Sequence, residues 1–179
     1  MLKRMRGFTL IELLIVVAII GILAALLIPN ALSAIQKAKQ KGTMKDINSI
    51  ATAITDYITD NGTAPAHSGP LTSGDSLYTD LSGFYLKVLP QNDQWGTPFD
   101  IYCGTAAEGA YQGVTNTGVD DFVVASYGRD KTQTAIAFDP LNPATAYFPI
   151  TGMPSFDNDL VNWAGSWIHA PKSAQLGNT

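Results

Sequence analysis

Residues 8–28 read FTLIELLIVVAIIGILAALLI, and this one stretch decides the fold. Its 21 residues carry a single ionisable side chain, Glu12. As a helix rising 1.5 Å per residue they reach roughly 30 Å, the thickness of a bilayer's hydrocarbon core. Three cations, Lys3, Arg4 and Arg6, precede the run, and the next is Lys37. The positive-inside bias therefore puts Met1 to Gly7 in the cytoplasm and the remainder of the chain outside. A conventional secretory signal has a shorter apolar core followed by a small-residue cleavage site. Ala24 and Ala25 imitate such a site, but the apolar run continues through Leu26, Leu27 and Ile28 into helix-forming sequence, so a cut there would discard the anchor.

Working outward, Pro29 follows without a loop signal, and residues 31–59 remain rich in helix formers. The pattern predicts one helix from about Phe8 to about Asn61 with a bend near Pro29, where a backbone donor is missing. Ile47, Ile50, Ala51, Ile54, Tyr57 and Ile58 recur at helical spacing and form a stripe suited to facing a sheet. Asp60-Asn61-Gly62 supplies the stop. Lys37, Lys39, Lys41 and Lys45 fall just beyond the bilayer, placed for lipid headgroups, acidic surfaces or plain solvent. Loss of the leader's three cations from the chain's 11 leaves 8 basic against 15 acidic side chains, a net charge near −7. That balance argues against nucleic acid as a partner.

The 179 residues suffice for one membrane segment and one modest domain. Residues 63–83 read as a long loop rich in Gly, Ser, Thr and Pro, and residues 79–88 as a short helix ended by Pro90. Trp95-Gly96-Thr97-Pro98 sets a tight turn into a strand within residues 93–102, with Trp95 placed to cover the helix-facing core. Residues 121–126 are a second strand. Val161, Trp163, Trp167 and Ile168 fit a further strand or a short helical turn, and a polar, frayed tail is expected from Ala170. The single cysteine, Cys103, forbids an intrachain disulfide. His67 and His169 lie in loop and tail contexts, and Cys103 has no base near it in sequence, which points away from an enzyme.

Gly7-Phe8-Thr9-Leu10-Ile11-Glu12 resembles the signature of type IV pilins and type II secretion pseudopilins. The resemblance implies that a prepilin peptidase cuts after Gly7 and methylates the new amine of Phe8. A carboxylate within a lipid span is costly unless paired and marks function by default. The resemblance gives Glu12 its partner, the terminal amine of a neighbouring subunit, and it makes Gly21 and Pro29 the positions where the helix can unwind in a filament. Trp95-Gly96-Thr97-Pro98 followed by a strand and by Asp121-Phe122-Val123-Val124-Ala125-Ser126-Tyr127-Gly128-Arg129-Asp130 is similar to the major pseudopilin of type II secretion.

In that family the loop after the second strand wraps calcium, which by resemblance makes Asp130, Asp157 and Asp159 the ligand candidates. Lys131 stands where the family often has Gly, and an inserted stretch, residues 131–156, separates the two halves and offers room for an extra hairpin or lobe. A cation there would pin the loop in place of a disulfide.

The expected fold is α+β and pilin-like, a long N-terminal helix, half membrane-spanning and half amphipathic, packed on a small antiparallel sheet. The expected regions are a cleaved leader 1–7, a membrane and assembly helix 8–28, its amphipathic continuation 29–61 and a periplasmic domain 62–179. By resemblance the partners are copies of the same chain, an inner-membrane assembly platform with its ATPase, the prepilin peptidase, minor pseudopilins and membrane lipid. The filament would drive protein export across the outer membrane and can extend beyond the cell. Two other readings stay open: a major type IV pilin for adhesion or motility, which usually carries a C-terminal cysteine pair, and a membrane-anchored module that binds a ligand through the inserted loop.

Overall fold

The computed structural model describes residues 8–136 and 138–172. The chain divides into two compact units, Met1–Gln36 and Lys37–Thr179. Helix α1, Leu10–Asn61, runs through the division and contributes to both. Pro29 lies inside α1. In the first unit the helix is long and apolar enough to cross a membrane, and none of that apolar window is buried within the chain. In the second unit Ile47, Ile50, Ala51, Ala53 and Ile54 are buried, with Tyr57 and Ile58 packed at the margin of the same cluster. The stripe read from the sequence is the helix's core face. Gly62 ends α1 in the left-handed conformation (φ 77°), its N–H donating to Ile58 O at 2.7 Å.

Six strands form one sheet: β1 (Ser68–Pro70), β2 (Asp100–Cys103), β3 (Phe122–Ser126), β4 (Tyr147–Phe148), β5 (Leu160–Trp163) and β6 (Ser166–Pro171). Their order is β1-β2-β3-β5-β6-β4. Every pairing is antiparallel except β4 with β6, which is parallel, so the sheet is mixed rather than purely antiparallel. Among its described residues the inserted stretch forms no hairpin of its own. It crosses to the far side of β6 and adds β4 there, flanked by the 3-10 turns Pro143–Ala146 and Met153–Phe156.

Both faces of the central strands are covered. Ile101, Cys103, Phe122, Val124 and Leu160 pack with the α1 stripe, whereas Val123, Ala125, Val161 and Ile168 pack with Ala107, Tyr111, Val114 and Ile136. All five residues of β3 are therefore buried, which accounts for a run, FVVAS, without polar alternation. Trp95 lies half-buried against the helix-side cluster, as its turn predicts.

Several local expectations are corrected. The short helix, α2, is Ser76–Leu81, earlier than residues 79–88, and Phe84 and Val88 beyond it are exposed. The 63–83 loop contains β1. Residues after Leu160 make a hairpin, turning at Ala164 and Gly165 (φ 45° and 84°), and Ala170 and Pro171 are buried in β6 rather than frayed. Residues 173–179 lie outside the described residues.

Candidate functional site

The N-terminal unit carries a polar cluster at the start of α1. Thr9 is the cap: its Oγ1 accepts the N–H of Glu12 at 3.3 Å, while Glu12 Oε2 accepts the Thr9 N–H at 2.8 Å and the Thr9 hydroxyl at 2.7 Å. This reciprocal box satisfies helix-start donors that have no partner within the helix. Thr9-x-x-Glu12 was readable as such a box from sequence, yet only Glu12 was singled out. Phe8 is exposed. Pro29 frees a carbonyl one turn earlier, and the Asn30 amide donates to the neighbouring Leu26 O at 3.3 Å. The processing residue Gly7 lies outside the described residues.

In the second unit the turn at residues 93–97 is organised by Asp93, which is buried. Its Oδ1 accepts the N–H groups of Trp95 and Thr97, each at 2.9 Å, and its Oδ2 accepts the Ser126 hydroxyl at 2.7 Å. The adjoining Gln94 fastens the turn to α1, its N–H donating to Thr43 Oγ1 at 3.2 Å and its amide to Asp46 Oδ2 at 2.8 Å. A Cβ at Gly42 would stand 3.0 Å from the Gln94 side chain, so the helix has glycine where the turn presses on it.

The expected calcium ligands lie at the connection from β3 to β5. Asp157 faces Arg129, whose Nε and Nη2 donate to Oδ1 and Oδ2 at 2.7 and 2.8 Å, a two-pronged ion pair about one-third exposed on each side. Asp130 Oδ1 accepts the Thr132 N–H at 3.1 Å. Asp159 is fully buried: Oδ2 accepts the Thr134 N–H at 3.0 Å, and Oδ1 has no partner. Burial pushes the Asp159 carboxyl up to about 7, with the negative charges of Asp130 and Asp100 adding to the rise.

Asp100, also buried, accepts the Tyr102 hydroxyl at 3.0 Å and the Tyr127 hydroxyl, leaving its Oδ1 unpartnered. His169 sits half-buried in β6, its Nδ1 2.7 Å from Asp159 O, rather than in a tail. Burial holds its pKa below the ordinary value.

Among the described residues no three acidic, His or Cys side chains are grouped to hold a metal. Asp130, Asp157 and Asp159, the calcium ligands implied by resemblance, are not gathered into one group in this structure, where Arg129 takes both oxygens of Asp157. Sequence reading passed over Arg129, although an arginine beside Asp130 inside an acidic loop is itself a signal that a carboxylate is already matched. Cys103 is buried in β2, and burial pushes its thiol up to about 12, so it is no nucleophile.

A lipid-length helix whose outer half is the core of a small α+β domain defines a pilin-type subunit. Residues 2–28 match the prokaryotic N-terminal methylation motif, and residues 30–136 match the family described as type II secretion system (T2SS), protein G. The chain belongs to the type II secretion system protein G family, the major pseudopilins. The type II secretion system core protein G of Aeromonas hydrophila is 35% identical over 106 residues, covering 55% of this chain and 73% of that one. That of Pseudomonas aeruginosa is 35% identical over 119 residues, covering 61% and 80%. That of Dickeya chrysanthemi is 27% identical over 175 residues, covering 93% and 92%. No solved structure matches. The family match ends at residue 136, before Asp157 and Asp159.

Proposed function

We propose that this chain is the major filament subunit of a type II secretion system, a structural protein rather than an enzyme, whose polymer drives protein export. The observation that carries the reading is an unburied apolar helix with one carboxylate, Glu12, at its start, on a chain of the protein G family. A side chain of that charge at membrane depth needs a partner. The methylated amine of Phe8 on a neighbouring copy is the group the N-terminal motif supplies. Cleavage after Gly7 by the prepilin peptidase exposes that amine. The leader's cations keep the N-terminus cytoplasmic, so the domain stands in the periplasm, anchored in the inner membrane. Extraction by the assembly platform and its ATPase, with minor pseudopilins and lipid as further contacts, follows from this place in the system. Membership in the protein G family favours export over the type IV pilin and over a monomeric binding module.

The test is Glu12→Gln in the full chain. N-terminal mass analysis should show a normally cut and methylated product, while sheared-filament sedimentation and electron microscopy should show assembly lost. Wild-type filaments from Glu12→Gln would remove the pairing, and a wild-type chain that stays monomeric in the presence of the secretion machinery would remove the filament reading itself.

A further inference from the structure

The resemblance places a divalent cation between two halves of the β3–β5 connection, and the residues present do not fit one. Calcium takes six to eight oxygen ligands. Here Asp157 gives both its oxygens to a guanidinium, Asp130 Oδ1 and Asp159 Oδ2 each accept a backbone N–H, and Arg129 brings a positive charge where a second cation would have to sit. The halves are already in direct contact. The Arg129 N–H donates to Phe156 O at 2.8 Å. Gly128 (φ 72°) approaches so closely that a Cβ would stand 2.8 Å from Asn158 O and 2.9 Å from Phe156 O. The 128–130 turn and the 156–158 turn are thus joined without an intervening ion.

We propose that Arg129 closes this connection in place of the cation. Its planar fork matches the carboxylate of Asp157 with two parallel charge-assisted hydrogen bonds, its own backbone N–H ties the same turn, and glycine at 128 permits the approach. A clamp built this way needs no metal supply in the compartment and is fixed once the chain has folded. The inference concerns the domain's integrity and stands whether or not the chain forms a secretion filament.

The experiment uses the full chain in detergent micelles, melted in calcium chloride at about 1 mM, the upper range for extracellular calcium modules, and in excess chelator. Wild-type midpoints should coincide, and calorimetric titration with calcium chloride should give no saturable heat. In Arg129→Gln, with chelator present, amide exchange at Asp157 and Thr134 should quicken about five- to tenfold, as loss of a partly exposed but two-pronged ion pair implies. Arg129→Lys, which keeps charge without the fork, should fall between. A calcium-dependent rise in the wild-type midpoint overturns the proposal without recourse to any variant, and wild-type exchange rates in a folded Arg129→Gln overturn it equally.

Discussion

Replacing Asp93 by Ala tests how the β3 end and the 93–97 turn are held to each other. The substitution deprives the Trp95 and Thr97 N–H groups of one acceptor and the buried Ser126 hydroxyl of its own. Hydrogen bonds to a charged group are each worth roughly 1.5–3 kcal/mol net when buried, less where water can replace the partner. The Ser126 bond is buried and the two backbone bonds only partly so, which puts the loss at about 3–5 kcal/mol. For a chain of this size 1 kcal/mol moves the melting midpoint by roughly 2–4 °C, so a fall on the order of 10 °C is expected. Asp93→Asn keeps an oxygen toward both N–H groups and turns an amide toward Ser126, whose hydroxyl can accept instead. Its cost should be about 1 kcal/mol. Thermal unfolding of the full chain in micelles, followed by near-ultraviolet circular dichroism, separates the two variants. An Asp93→Ala midpoint within 2–3 °C of wild type, an approximate bound set by the same conversion, would refute the reasoning. So would an Asn variant as unstable as the Ala one.

Gly128→Ala forces a Cβ to within 2.8 Å of a carbonyl and into a left-handed φ, whereas Gly62→Ala shares the φ but meets nothing within 4 Å. Denaturant titration should find Gly62→Ala about 1 kcal/mol less stable and Gly128→Ala at least about twice that. The Asp159 carboxyl, raised to about 7 by burial, holds in the folded chain a proton that the unfolded chain has released by then. Its contribution is thus complete below about pH 4 and is lost as pH rises toward 7. His169, held low by burial, acts in the opposite sense as pH falls below its ordinary 6.5. Subtracting the stability–pH curve of Asp159→Asn from that of wild type should leave a decline between pH 4 and 7, and a flat difference would show that Asp159 does not titrate there.

The membrane-length helix, its core stripe and the strands at β2 and β3 were legible because each rests on local pattern. Apolar length, helical spacing at Ile47, Ile50 and Ile54, and a strand with four apolar residues in a row all survive whatever the rest of the chain does. What escaped depends on contacts distant in sequence. Tyr147-Phe148 fits a hairpin or a lobe within the insertion equally well, and its pairing with Ala170 and Pro171 shows only in the folded chain. The β5–β6 hairpin turns on Ala164-Gly165 rather than the Asn-Gly pair that signals such turns, and Ala164 takes a positive φ that its side chain disfavours. The surroundings of the candidate metal site were illegible for a related reason. Three aspartates in a recognisable order suggest a cation, but the Arg129 fork bridges 28 residues of sequence, and only the folded chain brings it to Asp157.

The two rims of the sheet bear on a hazard peculiar to proteins that must polymerise in a controlled way. One rim is β1, three residues ending in Pro70, and the other is β4, two residues laid parallel on β6 by the inserted stretch. Short or proline-bearing rims offer few free backbone groups for a foreign strand to join. β4 pairs with Ala170 and Pro171 and so covers that end of the six-residue β6. The insertion thus shortens the free ladder at the end of the sheet where a foreign strand could otherwise join.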